Sequence, residues 1–563
     1  MLRVSAVETD QSVVSVVCHY VQSYVARLRS LPGATYDRIN RRWLVPSIYL
    51  DDLERLFKGE LVYVTPRHVL RQEPPPRLPY YDDITLEEIP DLACPLYAFQ
   101  HFGACFLAQR ARQYGFAFLC DTTGVGKSPQ ALAAIRLLNP ERVLIVTPAS
   151  VRHQWVADTI PKFLGNVDVT EVCGGPAERQ ELYGRSFITV VNYEALLRDE
   201  DAILRQRYDL LVFDEAQRLK ARQGKTHRVA ARLAGRPWVR ARLFLTATPL
   251  MNELEELYAL FKIADPSILG KFADFKARYL LYDYSKGYPK LVGYRNLDAL
   301  AELVAPFILR RTADLPEVAG QLPKLVTQNY YVDPTPVQRE LHKRISATYS
   351  DALKKRVAAL QKGDWQTANK YDAISQGCLM LLTGASDSPA LFLQSTSSLV
   401  KPYFDLCRGV SGSPKLSLLL ELLEDLTPQA KVIVFTCFER MARMIHQAAA
   451  KHRPALYTGQ NLQEREDELA RFRTDPDCRV LVSTDAGGVG LNLQVAWYLV
   501  NYDLPWSPGQ LEQRYGRIKR FGSAADTVFA INLLTRGMVD EQILAAIERK
   551  EDIFHAVIQS VAC

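Results

Sequence analysis

The chain has 563 residues. This is too long for one ordinary domain and indicates roughly two to four domains. Hydrophobic residues make up 48% and charged residues 23%, which excludes a chain that is disordered throughout. The net charge of +6 is a weak basic bias, compatible with a nucleic-acid partner but not proof of one. The ten cysteines form no Cys-x-x-Cys pair, which argues against a zinc ribbon and favours free thiols in a reducing cytosol.

The N-terminal segment lacks the pattern of a signal peptide or membrane span, because His19, Gln22 and Ser23 interrupt its apolar residues. We therefore expect a cytoplasmic protein without a membrane partner. The first break in the chain is EPPPRLP at residues 73–79. Proline continues neither a helix nor a central strand, so this stretch predicts a stiff linker. The sequence thus predicts a small N-terminal module over residues 1–72 and a linker over residues 73–90.

Two series of short, β-rich apolar segments follow, separated by amphipathic helical patterns. The first series is residues 116–120, 143–147, 188–191, 210–213 and 243–245, and the second is residues 432–435, 480–483, 498–500 and 528–533. Such alternation favours parallel sheets covered by helices on both faces. The predicted fold class is therefore α/β, with two parallel-sheet lobes in tandem. Residues 338–400 interrupt the pattern with mostly helical sequence, and the tail from 539 to 558 is also predicted to be helical.

A glycine-rich loop, DTTGVGKS at residues 121–128, follows a predicted strand and precedes a predicted helix. This is the context of a phosphate-binding loop, or P-loop. Backbone N–H groups would cradle phosphate oxygens, Lys127 would neutralise the β and γ phosphates, and the Ser128 hydroxyl would bind Mg²⁺. Asp121 stands where this motif usually has its first glycine. Taken alone, the loop indicates nucleotide binding, with a glycine-rich turn and an incidental lysine as the alternative.

The predicted strand 210–213 ends in two carboxylates, Asp214 and Glu215. In a P-loop motor, Asp214 would hold the Mg²⁺ shell and Glu215 would orient the attacking water. The alternative, an ordinary polar strand end, is hard to keep when the same sheet also carries a P-loop.

A basic segment near the C-terminus, QRYGRIKR at residues 513–520, carries Arg517 and Arg520. We predict that they share one face of a helix at i and i+3. In a two-lobe motor, the second lobe would use them to stabilise charge on the γ-phosphate in the transition state. A solvated basic helix end is the other explanation, and it would be preferred for this segment alone.

From residue 95 to about 543, the motifs resemble those of the SWI/SNF-type ATPases of helicase superfamily two and occur in that family's order. In the first lobe they are LYAFQ (96–100, similar to the Q motif), VTPAS (146–150, motif Ia), NYE (192–194, motif Ib), LTATP (245–249, motif III), and FILRR with LPK (307–311 and 322–324, the end of the lobe). In the second lobe they are SPKL (413–416, its first segment), VIVFT (432–436, motif IV), STDAGGVGLNL (483–493, motif V) and residues 513–520 (motif VI).

The resemblance implies two RecA-like lobes with helical protrusions, plus the N-terminal module as a small α+β unit. The expected domains are lobe 1 over residues 91–325, lobe 2 over 326–537 with a helical insertion at about 338–400, and a C-terminal helical brace over 538–563. Residues 254–303 would form the protrusion of lobe 1. The implied ligands are ATP and Mg²⁺.

The resemblance also implies a role for each matching residue. The expected catalytic residues are Lys127, Asp214, Glu215 and the arginine fingers Arg517 and Arg520. The expected ATP contacts are Gln100, Thr123, Gly124, Val125, Gly126, Lys127, Ser128, Gly488 and Gly490, with Ser128 and Asp214 at the metal. The expected DNA contacts are Thr147, Asn192, Thr246, Thr248, Thr484 and Asn492.

Two positions depart from the family's pattern. Gln217 stands where many relatives have His, which puts the coupling contact at that position in doubt. Asp485 stands where many eukaryotic relatives have Arg or Lys, and an acidic side chain there would weaken attraction to DNA phosphates. Both this string and DLPWSPG at residues 503–509 look more like bacterial and archaeal members. We therefore expect a prokaryotic or phage variant that associates with the nucleoid.

The N-terminal module resembles the small HARP module, through PGATYD at residues 32–37 and RRWLVP at 41–46. A β-hairpin followed by a helix over residues 50–57 is expected. Tyr36 with its neighbouring arginines would suit unpaired bases, whereas we predict that Trp43 is buried. In the helical insertion, five basic residues would suit DNA phosphates or simply a solvated helix face: Lys343, Arg344, Lys354, Lys355 and Arg356.

The implied function is a DNA-stimulated ATPase that translocates on double-stranded or forked DNA and remodels DNA or protein–DNA complexes, for example in repair. We expect a monomer that works with protein partners. Three alternatives stay open: a strand-separating helicase, the motor subunit of a restriction or defence complex, and a non-catalytic DNA-binding scaffold. The last is disfavoured because Lys127, Glu215 and both fingers are present.

Overall fold

The structure is a computed structural model. It describes residues 2–6, 13–17, 22–29, 31, 34–37, 42–46, 53, 56–57, 61–63, 81–247, 253–283, 290–312, 315, 318, 322–393, 395, 397–410, 412–460, 464–485, 493–520, 523 and 525–557. These residues fall into two compact units. The first takes in Met1–Asp83, Asn296–Arg310 and Arg549–Cys563, and the second takes in Ile84–Arg295 and Arg311–Glu548.

The N-terminal module, in the first unit, is a mixed sheet with one described helix. Its strands are β1 (Leu2–Ala6), β2 (Val13–Val17), β3 (Thr35–Asp37), β4 (Arg42–Pro46) and β5 (Leu61–Tyr63), in the order β3-β4-β2-β1-β5, and its helix is Gln22–Arg29. Strands β3 and β4 pair antiparallel, as the predicted hairpin requires. Trp43 is buried, as predicted, while Tyr36 packs against it with its ring half exposed. Of the predicted helix 50–57, only residues 53, 56 and 57 are among those described.

Lobe 1 lies in the second unit and is built on a parallel sheet. Its strands are β6 (Phe116–Leu119), β7 (Val143–Thr147), β8 (Val169–Glu171), β9 (Ile188–Asn192), β10 (Leu210–Asp214) and β11 (Ala241–Leu245), paired in the order β6-β11-β10-β7-β9-β8. The helix Ala98–Tyr114 precedes β6, and the helices between the strands are Lys127–Leu138, Ala149–Gln154, Ile160–Leu164, Pro176–Leu182, Tyr193–Arg198, Glu200–Leu204 and Lys225–Ala234. Most strand residues are buried, as expected for a sheet covered on both faces. The five predicted strands of the first series are confirmed.

Several elements follow lobe 1 in the chain. They are the helices Leu254–Ala264, Phe272–Tyr279 and Leu297–Val304, the antiparallel pair β12 (Leu280–Asp283) and β13 (Lys290–Tyr294), and the short strand β14 (Ile308–Leu309).

Lobe 2, also in the second unit, repeats the parallel architecture. Its strands are β15 (Lys324–Val332), β16 (Lys431–Thr436), β17 (Ala455–Tyr457), β18 (Val480–Thr484), β19 (Ala496–Asn501) and β20 (Thr527–Thr535), paired in the order β15-β20-β19-β16-β18-β17. Along β16, Val432 and Val434 pack into one apolar cluster while Ile433 and Phe435 pack into another. Alternate residues of a strand point to opposite faces, so this sheet is covered on both sides. The predicted two-lobe α/β fold is confirmed.

The remaining helices of lobe 2 include the predicted insertion. They are Pro336–Gln361, Trp365–Asp387, Ala390–Leu393, Phe404–Cys407, Pro414–Leu426, Glu439–Ala448, Arg465–Thr474 and Pro508–Tyr515, and the predicted tail helix Val539–Val557 follows the lobe. Three basic residues of the insertion are ion-paired, Arg344 with Glu340, Lys355 with Asp351, and Arg356 with Asp372. These pairs favour a solvated helix face for those three positions. No helix in the described part of the chain combines the length and apolar character needed to cross a membrane.

Candidate active site

The P-loop connects β6 to the helix Lys127–Leu138, as predicted. Gly124 and Gly126 have left-handed φ angles of 84° and 82°, which L side chains adopt only with strain. A Cβ on Gly124 would also collide with the backbone carbonyl of Lys519 in lobe 2. The Nζ of Lys127 donates to the carbonyl oxygens of Asp121 at 2.9 Å and Thr122 at 3.3 Å, which keeps the lysine folded along the loop.

Asp121, which replaces the usual glycine, is fully buried beneath the loop and faces Arg311. The guanidinium of Arg311 donates from Nη2 to Asp121 Oδ2 at 2.6 Å and from Nε to Oδ1 at 3.2 Å. The backbone N–H of Arg311 donates to Oδ1 as well, and its carbonyl accepts from the N–H of Thr122. Gln130 donates to Asp121 and accepts from Arg311. This Asp121 network fixes the start of the P-loop from both sides.

The predicted Q motif is attached to the same network. Arg311 donates to the carbonyl of Phe99 and lies over its ring, with the guanidinium carbon 5.2 Å from the ring centre. The next residue, Gln100, donates from Nε2 to the carbonyl of Val125 at 3.2 Å and accepts from the N–H of Tyr97. Gln100 is therefore in position to brace the P-loop, and its contact with adenine stays a prediction.

The acidic pair lies at the end of β10, as predicted. Asp214 accepts from Trp155 Nε1 at 2.9 Å and from the N–H of Glu215 at 3.0 Å, and Tyr193 donates to its carbonyl. Burial, and then the charge of Glu215, raise the pKa of Asp214 above its ordinary value. Glu215 has a left-handed φ of 51°, a conformation in which a non-glycine residue stores strain and which clusters at functional sites.

Gln217 connects the acidic pair to the segment that resembles motif III. Its Nε2 donates to Glu215 Oε2 at 2.6 Å, and its Oε1 accepts from the Thr246 hydroxyl at 2.7 Å. From lobe 2, Gln513 also donates to Glu215 Oε2, at 3.3 Å. An amide supplies one donor and one acceptor in this position, as a neutral histidine ring also can. The departure from His at residue 217 therefore leaves a bonded path from Glu215 to Thr246.

The predicted helix through residues 513–520 is shorter than expected. The helix Pro508–Tyr515 ends before the two predicted fingers, and Arg517 and Arg520 follow in consecutive turns rather than on one helix face. The helix-face prediction was therefore wrong. Gly516 follows the helix at a place where a Cβ would collide with Thr123 of lobe 1, and the Thr123 hydroxyl donates to the carbonyl of Glu512 at 3.1 Å. The lobes therefore pack closely at Gly516, a position where glycine is required.

Both arginines nevertheless line the cavity that the P-loop borders. Burial lowers the pKa of Arg517 to about 10, against the opposing effect of Glu215. Burial, and then the positive charge of Arg517, lower the pKa of Arg520 to about 9. Both side chains remain charged at neutral pH. Two cations held close together in a desolvated place favour an anionic ligand between them.

Arg514, three residues before Arg517, has a different environment. Its five N–H donors are all used: Nε and Nη2 each donate to Asp485 at 2.7 Å, Nη1 donates to Asn501 and to the carbonyl of Asp503, and Nη2 also lies 3.4 Å from Cys437 Sγ. Burial opposes its charge, but Asp485 outweighs burial and raises the pKa of Arg514. Asp485 is thus an internal ion-pair partner. This pairing, rather than weaker DNA attraction, accounts for its presence.

The cavity has a volume of about 230 Å³. Its lining includes Thr123, Gly124, Gly126, Lys127, Ser128, Trp155, Asp214 and Glu215 from lobe 1, and Gln494, Arg517 and Arg520 from lobe 2. Three cations and two carboxylates meet there with glycine backbone and a serine hydroxyl. This donor set fits a nucleoside triphosphate with a divalent cation, since the arginines and lysine match phosphate oxygens and the hydroxyl and Asp214 offer oxygen ligands to a hard metal ion.

Those residues predicted to contact DNA that the structure describes do not line this cavity. Thr147, Asn192, Thr246 and Thr484 are all buried. Asn192 caps the helix Tyr193–Arg198, and Thr246 is bonded to Gln217. Contact between these side chains and DNA stays a prediction that burial does not favour. The predicted DNA contacts Thr248 and Asn492 lie outside the described residues, as do the predicted ATP contacts Gly488 and Gly490.

Trp155, Arg311 and Arg514 were not predicted as site residues. A signal existed for the two arginines, because Asp121 replaces the glycine of the general P-loop motif, Asp485 is acidic, and a buried carboxylate requires a partner. Trp155 lies five residues after the motif Ia-like segment 146–150, but its position in the sequence does not indicate a hydrogen bond to Asp214.

Comparison with known proteins places these residues in a family. The pattern of the SNF2-related domain matches residues 99–389, more than half of the chain, and that of the helicase conserved C-terminal domain matches residues 414–522. Similar proteins include the TATA-binding protein-associated factor mot1 of Aspergillus fumigatus (27% identity, covering 82% of this chain and 26% of that protein) and the DNA repair and recombination protein RAD54B of Gallus gallus (26%, 81% and 53%). The chain thus spans about a quarter to a half of the length of these relatives.

Bacterial proteins are among the relatives too. The uncharacterized ATP-dependent helicase YqhH of Bacillus subtilis is 27% identical, over 79% of this chain and 76% of that protein. A solved structure, the Sulfolobus solfataricus SWI2/SNF2 ATPase core in complex with dsDNA, aligns with a TM-score of 0.39 and 23% identity, covering 84% of this chain and 95% of that one. By the matches to its two domain patterns, the chain belongs to the SNF2-related family of ATP-hydrolysing enzymes in helicase superfamily two.

Proposed function

We propose that the protein is a DNA-stimulated ATPase that translocates on duplex DNA and remodels DNA or protein–DNA complexes. The observation that carries the proposal is the cavity in which Lys127, Asp214 and Glu215 of one sheet meet Arg517 and Arg520 of the second. Neither lobe alone holds all five side chains. Hydrolysis then depends on how the two lobes meet, and this dependence is what links ATP to movement along a track.

Each residue has a proposed role in that reaction. Lys127 and the backbone of Thr123 to Ser128 would bind the phosphates, Ser128 and Asp214 would hold Mg²⁺, and Glu215 would orient the attacking water. Mg²⁺ would neutralise charge on the transferring phosphate. Arg517 and Arg520 stabilise negative charge as it develops on the γ-phosphate. The bonded path from Glu215 through Gln217 to Thr246 gives the acidic pair a route to the motif III-like segment.

DNA as the track is supported by the family and by relatives named for work on DNA, such as the RAD54B proteins. The domain boundaries at residues 72, 90, 325 and 537 belong to the same proposal. The association of β15 with the second sheet agrees with a lobe boundary close to residue 325.

ATP hydrolysis measured with no DNA, single-stranded, duplex and forked DNA tests the proposal. We expect duplex or forked DNA to stimulate far more than single strands, and Lys127→Ala to abolish hydrolysis. Displacement of a triplex-forming third strand reports translocation without strand separation. Unwinding of plain tailed duplexes would favour the strand-separating helicase instead, and wild-type turnover by Lys127→Ala would refute the site.

A further inference from the structure

A row of three asparagines crosses the sheet of lobe 2 on neighbouring strands. Asn329 of β15 is opposite Asn532 of β20, and Asn532 is opposite Asn501 of β19. Asn501 and Asn532 are buried, whereas Asn329 is exposed at the edge of the sheet. A buried amide costs free energy unless its donors and acceptor are paired. The two buried members find partners in the row and in Arg514.

The hydrogen bonds of the asparagine row run in one direction. Arg514 Nη1 donates to Asn501 Oδ1 at 3.0 Å, Asn501 Nδ2 donates to Asn532 Oδ1 at 2.8 Å, and Asn532 Nδ2 donates to Asn329 Oδ1 at 2.8 Å. The orientation of an asparagine amide is usually ambiguous. Here a guanidinium, which can only donate, stands at one end. Asn501 must turn its oxygen to Arg514, and each following amide inherits that orientation.

The asparagine row ends beside the predicted fingers. Arg514 lies in the last turn of the helix Pro508–Tyr515, and its carbonyl accepts the N–H of Arg517 at 3.0 Å. Since all five guanidinium donors of Arg514 are used, losing Asn501 as a partner would leave Nη1 with the Asp503 carbonyl alone. A change in the row would thus alter the position of Arg514, where the turn carrying Arg517 and Arg520 begins.

We propose that Asn329, Asn532 and Asn501 are positioning residues for the arginine fingers. They hold Arg514, and Arg514 holds the turn that presents Arg517 and Arg520 to the cavity. β15, which carries Asn329, is the first strand of lobe 2 in the chain. The asparagine row therefore connects the start of that lobe to the helix that precedes Arg517 and Arg520. The inference rests on the proposed ATPase function and adds to it a device that fixes the fingers.

The test compares Asn532→Ala and Asn329→Ala with Gln328→Ala, a matched control on the same strand. Steady-state hydrolysis gives kcat, binding of a non-hydrolysable ATP analogue gives Kd, and thermal unfolding gives Tm. We expect Asn532→Ala to reduce kcat about tenfold with Kd changed less than about twofold, because displaced fingers weaken transition-state contacts and spare the P-loop. Asn329→Ala reduces kcat about two- to threefold at unchanged Tm, and Gln328→Ala changes nothing.

Two outcomes overturn the inference. One is a lowered Tm of Asn532→Ala with wild-type kcat for the folded protein, which makes the asparagine row merely structural. The other outcome concerns the double variant Asn329→Ala with Asp485→Asn. If both residues act through Arg514, its loss in kcat should differ from the product of the two single losses. A loss equal to that product would contradict the inference. If Asn532→Ala fails to fold, the exposed Asn329 still decides the question. A wild-type protein without ATPase activity would refute the proposed function, whereas an active one indifferent to both asparagines refutes only the row.

Discussion

Each lobe has a buried arginine near its half of the cavity, but the two arginines have different roles. In lobe 1, Arg311 grips Asp121 and thereby shapes the P-loop directly. In lobe 2, Arg514 grips Asp485 and the asparagine row, while two later arginines face the cavity. Within seven residues, Arg514, Arg517 and Arg520 divide into one that holds structure and two that are positioned for chemistry. The five bonded donors of Arg514, and the positions of Arg517 and Arg520 in the lining of the cavity, make this division visible.

We expect substitutions in lobe 2 to lower the rate of ATP hydrolysis much more than the affinity for ATP. Substitution of an arginine finger should have the largest effect. Arg520→Ala should lower kcat by about 10³-fold, as for fingers in other phosphoryl-transfer enzymes. The Kd of a non-hydrolysable ATP analogue should change only a few-fold, because Lys127 and the P-loop backbone bind the ground state. Hydrolysis and fluorescence-detected binding measure the two quantities. Arg443→Ala, an exposed ion-paired cation of the same lobe, is the control. Equal losses in binding and turnover would contradict the division of labour.

A substitution in the Asp121 network of lobe 1 should instead lower the stability of the protein and its affinity for ATP. Asp121→Gly restores the usual motif residue but leaves Arg311 buried without its carboxylate, so the free energy of unfolding should fall by about 3 kcal/mol. Urea unfolding measures the fall, and ATP-analogue binding should weaken with it. Asp121→Asn keeps an acceptor and should lose less. Adding Arg311→Met to Asp121→Gly should recover part of the stability. A glycine variant as stable as wild type would show that the Asp121 network does not support the P-loop.

Gln217 tests the connection between the acidic pair and the motif III-like segment. Gln217→Leu removes both hydrogen bonds, one of them to a charged group and worth about 1.5 kcal/mol, which corresponds to about a tenfold loss of DNA-stimulated kcat. Gln217→His keeps one donor and one acceptor and should retain most activity. Turnover measured with and without duplex DNA separates coupling from chemistry. Equal activity of the leucine and histidine variants would rule out the path through Thr246.

The fold was predictable because each strand carries its own signal. Val143–Thr147, for example, is a bounded apolar run whose observed limits match the predicted ones. The site was predictable where a motif sets local chemistry, as at Lys127 and Asp214, which the structure brings together. What could not be predicted depends on residues far apart in the chain. Arg311 meets Asp121 across 190 residues, and Asn329 meets Asn532 across 203. The end of the helix at Tyr515, by contrast, has a local signal in Gly516, which directly follows it.

The smallest expected effect concerns Gln100, where bracing and adenine recognition can be told apart. Gln100→Ala removes the hydrogen bond to the Val125 carbonyl, and the KM for ATP should rise about fivefold, equivalent to about 1 kcal/mol. If Gln100 also recognises adenine, the KM for ATP should rise more than the KM for GTP, so that the preference for ATP shrinks. If it only braces the P-loop, both KM values should rise together. Gln113→Ala, at the exposed end of the same helix, is the control. An unchanged ATP-to-GTP ratio would leave Gln100 as a support of the P-loop alone, in the manner of Arg311.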